Sequence, residues 1–222
     1  MLAFVLLREC NNRAKTAILT IVQHSNRRVN QFLRLHTTSM GIAQTHRPVL
    51  LICAVISRYD EAFDWSLERF RETWGESCLV SPRFDFVETT FYQATMGGEL
   101  KKQFFAFDRL IDPTELPNAK LQSNQWEIQY ARARQHAELR PLNLDPGYLT
   151  EAKLVLATTK DRDHRIYLDQ GIFAEVTLHF HKGQWCNRPW TYPDYQRADF
   201  QAFFSEARNW LRKQYRSSMQ QE

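Results

Sequence analysis

"PVLLICAVISRYDEAFDWSLERFRETWG" (48–75) decides the fold class. Its opening run, residues 48–56, is apolar without alternation, the pattern of a short strand covered on both faces. Beyond Ser57 the period changes. Phe63, Leu67, Phe70 and Trp74 recur at helical spacing on one side, Asp60 and Glu61 favour a helix start, and Gly75 supplies a stop. The spacing predicts a helix over 60–74. A doubly covered strand that runs into an amphipathic helix calls for layers of helix and sheet.

Working outward, "CLVSPRFDFVE" (78–88) reads as extended chain interrupted at Pro82, hence an edge or a bulge. "LKKQFFAFDRLI" (100–111) reads as a strand with imperfect alternation, since Phe104, Phe105 and Phe107 crowd together. Residues 112–138 carry helix formers to their end, with Pro117 suited to a first turn. "RPLNLDPGYLT" (140–150) has turn chemistry around Asp145-Pro146-Gly147. "KLVLATT", "HRIYL" and "IFAEVTLHF" are three successive strands, and they lead into an aromatic, proline-rich loop "WCNRPWTYPDY" (185–195). The tail places Phe200, Phe203, Phe204, Ala207, Trp210 and Leu211 on one helical stripe. The resulting fold class is α+β: a ferredoxin-like (split βαβ) core, an antiparallel hairpin extension and a C-terminal amphipathic helix.

Composition narrows the function. Fifteen Phe, eight Tyr and six Trp supply a core that needs no disulfide staple. Cys10, Cys53, Cys78 and Cys186 have no paired spacing and read as small apolar residues in a reducing compartment. The net charge of +4 is uneven: residues 1–39 hold six Lys/Arg and one acid, which leaves 23 against 24 for the other 183 residues. A general nucleic-acid surface is therefore not supported over 40–222. Residues 1–39 are Arg-rich and acid-poor, a composition shared with transit peptides. The preferred expectation is a basic N-terminal extension, disordered or lying upstream of a start at Met40, and then a single domain over 40–222. No stretch reaches the roughly 18 apolar residues that span a bilayer.

From Met40 onward the chain resembles the bacterial family called domain of unknown function 4416. The resemblance rests on "FDRLIDP" (107–113), "NLDPGYLT" (143–150), "KLVLATTKDRDHRIYL" (153–168), "GIFAEVTL" (171–178) and "WTYPDY" (190–195), in that order. It implies a cytoplasmic bacterial protein without established biochemistry, some of whose relatives carry a GTP-binding label. The residues do not support that label. No G-x-x-x-x-G-K-[ST] is present, and "TKDR" (159–162) lacks the Asn and second acid of a guanine-reading motif.

The densest run of reactive side chains is "ATTKDRDHRIYL" (157–168). A three-residue hairpin at "DQG", with Gly171 in the left-handed position, would set Leu168 opposite Ile172, Tyr167 opposite Phe173, Ile166 opposite Ala174 and Arg165 opposite Glu175. A four-residue connection at "KDRD" would put Thr158 opposite Arg165. The expected row is Thr158–Arg165–Glu175, with Thr177 and His179 continuing Glu175's face. As structure, this row is a cross-strand ion pair. As function, Arg165, oriented by Glu175, and Lys160 would hold a small anion such as a nucleotide or phosphate ester, and His164 or Asp161 would move protons. Binding and catalysis are both compatible with it, and the sequence assigns no particular cofactor to it.

His179-x-His181, with Cys186 beyond a turn, has spacing that can serve zinc but lacks a fourth ligand, so no metal is expected. Asn143, Asp145, Tyr148, Tyr192, Asp194 and Tyr195 are expected to cap proline turns and cover the core edge. The alternative function is a protein-interaction or self-association module that presents the 185–195 aromatics and the closing helix.

Overall fold

The computed structural model describes residues 41–220, apart from Thr90. Expectations for residues 1–39, Cys10 included, lie outside the described residues. Every strand and helix among the described residues lies in one compact unit, His46–Glu222.

Strand β1 (Val49–Ser57) is buried along its whole length. It pairs antiparallel with β4 (Lys101–Ile111) on one side and β5 (Asn143–Leu149) on the other. Its alternate residues serve different layers. Val49, Leu51, Cys53 and Val55 pack with Phe63 and Phe70 of helix α1 (Asp60–Thr73) and with Trp126 and Tyr130 of helix α3 (Leu116–Arg134). Leu50, Ile52 and Ala54 pack with Phe200, Phe204, Ala207 and Leu211 of helix α4 (Ala198–Met219). Residues 46–222 are therefore a sheet between two helical layers. Each fully covered Phe contributes roughly 1.5–3 kcal/mol of burial. The crowding of phenylalanines in β4 has the same cause: Phe104 faces α4, while Phe105 and Phe107 face α1 and α3.

The remaining elements are β2 (Ser77–Val80), β3 (Phe84–Asp85), a single-turn helix α2 (Gln93–Met96), β6 (Lys153–Thr158), β7 (Ile166–Asp169), β8 (Ile172–His181) and β9 (Gln184–Asn187). The strands form one antiparallel sheet in the order β2-β4-β1-β5-β6-β8-β7, with β3 on β4 and β9 on β8. The expected α+β class and closing helix are present.

Two expectations are overturned. "NLDPGYL" is strand β5, not a turn. Leu144 directs its N–H and C=O away from β1, and by strand alternation Pro146 faces the same way. The N–H that Pro146 lacks would point where no ladder exists, because β5 and β6 pair only from Gly147 onward. Gly147 is needed for close approach: a Cβ there would lie 2.3 Å from the Val155 carbonyl oxygen.

The hairpin order also differs. The long β8 is central and carries β6 on one side, with β7 and β9 on the other. The β7–β8 connection is a two-residue turn at Gln170-Gly171, both at positive φ, so Asp169 faces Ile172 and Leu168 is bulged out. Ile166 still faces Ala174 and Tyr167 faces Phe173, as expected.

Candidate functional site

The predicted Arg165–Glu175 pair is present, at 2.8 Å and almost fully buried. Arg165 also donates to the Lys160 carbonyl (2.9 Å) and to the Tyr192 hydroxyl (2.8 Å). Glu175 additionally accepts from Thr177 (3.2 Å) and lies 3.3 Å from His164 Nε2. His164 stacks on the Trp190 indole, and its other ring nitrogen meets Asp163. That hydrogen bond is the first cause holding the exposed Asp163 carboxyl below its ordinary value.

The other candidates do not join this pair. Thr158 faces Phe173, because β8 rather than β7 is its neighbour, and its hydroxyl accepts from the Lys160 amide. The Lys160 ammonium lies over the Phe91 ring at 4.6 Å. Asp161 is exposed. The expected row Thr158–Arg165–Glu175 is thus reduced to its ion pair. His179 leaves Glu175's face as well, because Thr177 is an extra residue in β8 that shifts the alternation. His179 faces Cys186 and His181 faces Gln184. Among the described residues, no three His, Cys, Asp or Glu side chains are grouped as metal ligands.

A larger polar constellation surrounds β5. Where β6 does not pair with β5, α3 supplies the missing partners. Glu127 accepts from the Leu144 amide at 2.8 Å, and Lys120 donates to the Leu144 carbonyl at 2.8 Å. Buried backbone groups require such partners, so the two side chains stand in for a strand. Lys120 also reaches Asp145 at 3.3 Å. Arg140 meets Glu127 at 2.8 Å and donates to the Asn143 side-chain oxygen, and the Asn143 amide donates to Asp145 at 2.7 Å. Lys102 of β4 meets Asp194 at 2.6 Å, both buried, with its ammonium 4.3 Å from the centre of the Tyr195 ring.

Burial pushes the Asp145 carboxyl upward. Lys120, Lys102 and the Asn143 bond outweigh it, so the group lies below its ordinary value. Glu127 is raised, with burial the leading cause. Burial also raises Tyr92, and it raises Tyr192 to about 12, with Glu175 adding to the latter. Tyr195 is pushed well up by burial and by Asp194 and Asp145. These phenols stay protonated at neutral pH. The Tyr195 hydroxyl is buried and has no hydrogen-bond partner among the described residues.

Asp145 and Asp194, expected as turn caps, are instead members of ion pairs. A sequence signal for the larger constellation exists on α3. Lys120 and Glu127 interrupt the face that carries Leu116, Trp126 and Tyr130, where solvated charges do not belong.

A family model described as Domain of unknown function (DUF4416) matches residues 47–211. The chain belongs to this family. The match to the DUF4416 model takes in β1 through most of α4, and with them every ion pair around β5. No curated protein and no solved structure matches the chain.

Proposed function

We propose that this DUF4416 domain binds a small molecule carrying an anionic group, at the polar floor around Asp145. The observation that carries this reading is the Tyr195 hydroxyl, buried and without a partner, within electrostatic reach of Asp194, Asp145, Tyr192 and Tyr92. An unpaired buried hydroxyl costs roughly 1–3 kcal/mol, a cost that a ligand can relieve. Arg165 is buried against Glu175 and the Lys160 ammonium lies over Phe91, so the role passes to Arg140, which is paired but more exposed than Arg165, and to the tyrosine hydroxyls. The test is a melting-shift screen against phosphate esters, nucleotides and amino acids, repeated on Tyr195→Phe. Tyr195→Phe should leave the unliganded protein as stable as before or more so, and should weaken the ligand-induced shift. A ligand shift that Tyr195→Phe does not change would count against this site.

The same reading takes the elements β1, α1, β2, β4, α3 and β5 as a ferredoxin-like core, with β6 to β9 as its extension. The strand order β2-β4-β1-β5, antiparallel throughout, supports it. It also takes the domain as cytoplasmic, in keeping with the free thiols Cys53, Cys78 and Cys186. Among the described residues no helix is long and apolar enough to cross a membrane.

One observation favours a second reading, self-association. Strand β7 lies at the sheet edge with all four residues exposed, Ile166 at 71 % and Tyr167 at 56 %. A second copy could add its own β7 antiparallel about Tyr167, setting Ile166 against Leu168 of the other copy.

A further inference from the structure

We infer that the ligand of the β5 site is a zwitterion of the α-amino-acid type, its ammonium taken by Asp145 and its carboxylate by Arg140. This rests on the proposal that the polar floor around Asp145 is a ligand site. With the neighbouring Arg165–Glu175 pair included, four carboxylates and four cations pair one to one: Glu127 with Arg140, Asp145 with Lys120, Glu175 with Arg165, and Asp194 with Lys102. The floor therefore carries no surplus positive charge to draw a simple anion.

The eight groups are not equally open. The side chains of Asp145 and Arg140 are 26 % and 38 % exposed, while none of the other six exceeds 11 %. One carboxylate and one guanidinium are thus presented to an incoming molecule. Both are held by Asn143, which donates to Asp145 through its amide nitrogen and accepts from Arg140 at its oxygen. One carboxamide with a hydrogen bond at each end lies between the two charges, which leaves room for a small molecule whose own ammonium and carboxylate each add one hydrogen bond. Because Asp145 is held below its ordinary value, it remains ionised at neutral pH, attracts an ammonium and repels a lone carboxylate or phosphate. The phenol of Tyr92, which lies within electrostatic reach of Arg140, stays protonated and can donate to the ligand carboxylate there.

The test is calorimetric titration of the full chain with the common α-amino acids. Each binder is compared with its carboxamide, which keeps only the ammonium, and its desamino acid, which keeps only the carboxylate. The expected result is one or more amino acids that bind, with both single-charge analogues at least about tenfold weaker, a difference of about 1.4 kcal/mol. Asp145→Asn should weaken the amino acid by a similar factor and leave the desamino acid unchanged or tighter. Should that variant not fold, the Asn143 side-chain amide signals of the wild-type protein provide the second readout. They should move with the amino acid and not with either analogue. If a phosphate ester or desamino acid binds as tightly as any amino acid, and Tyr195→Phe weakens it, the zwitterion inference is overturned while the site stands. If no ligand class binds, both fall.

Discussion

Arg165 and Lys160 stand five residues apart and look equally suited to hold an anion, yet they carry different weights. Glu175 is enclosed by protein and paired with Arg165. Arg165→Ala should therefore strand a buried carboxylate and cost about 3–5 kcal/mol. Lys160→Ala removes an ammonium from over an exposed ring and should stay within about 0.5 kcal/mol. Urea unfolding of both variants checks the contrast; equal effects would overturn it.

Asp145 makes a separate prediction about pH. Its folded value is depressed, so its contribution is complete above the ordinary aspartate value near about 4 and is lost as pH falls through the lower folded value. Between pH 7 and pH 3, the unfolding midpoint should fall further for the wild type than for Asp145→Asn. At this scale the sequence disclosed the Arg165–Glu175 pair, because the bulge at Leu168 offsets the shorter turn and restores the expected register from Tyr167 back. It did not disclose Lys120 or Glu127 as partners of Leu144, because that role depends on where β6 leaves the sheet.

Elements were legible where one period ruled. β1, α1 and α4 lie close to their expected ranges because each has a single apolar pattern to obey, and β4 does so although its phenylalanines serve both layers. β5 was not legible, because Pro and Gly usually mark turns. Here Pro146 faces an unpaired side and Gly147 lets β6 come close, both properties of a neighbour rather than of the segment. Gly147→Ala should then cost about 1–3 kcal/mol or more through overpacking against Val155 and Leu156. Gly171 offers a contrast. Nothing lies within 4 Å of its added Cβ, so Gly171→Ala carries only the strain of a positive φ. Thermal unfolding of the two variants should rank Gly147→Ala as the more damaging. The β6-β8-β7 order escaped notice for a related reason. Sequence shows three strands in succession, while the choice of the central one depends on length, and β8 alone is long enough to carry β6, β7 and β9.

For the molecule as a whole, the exposed β7 edge is where self-association would register. Tyr167→Lys should leave folding intact, since the side chain is more than half exposed, and should remove any dimer seen by light scattering at high protein concentration. A dimer that survives this change would point to another surface. The sheet itself has a seam. β5 and β6 meet only at Gly147–Leu156, Tyr148–Val155 and Leu149–Leu154, and beyond Gly147 a lysine and a glutamate from α3 hold β5 instead. The sheet thus resembles two leaves bound along a short spine, with the candidate site where β5 and β6 part. Hydrogen exchange should reveal the spine: Glu127→Gln should speed exchange of the Leu144 amide while the Tyr148 amide, inside the bound part, keeps its protection.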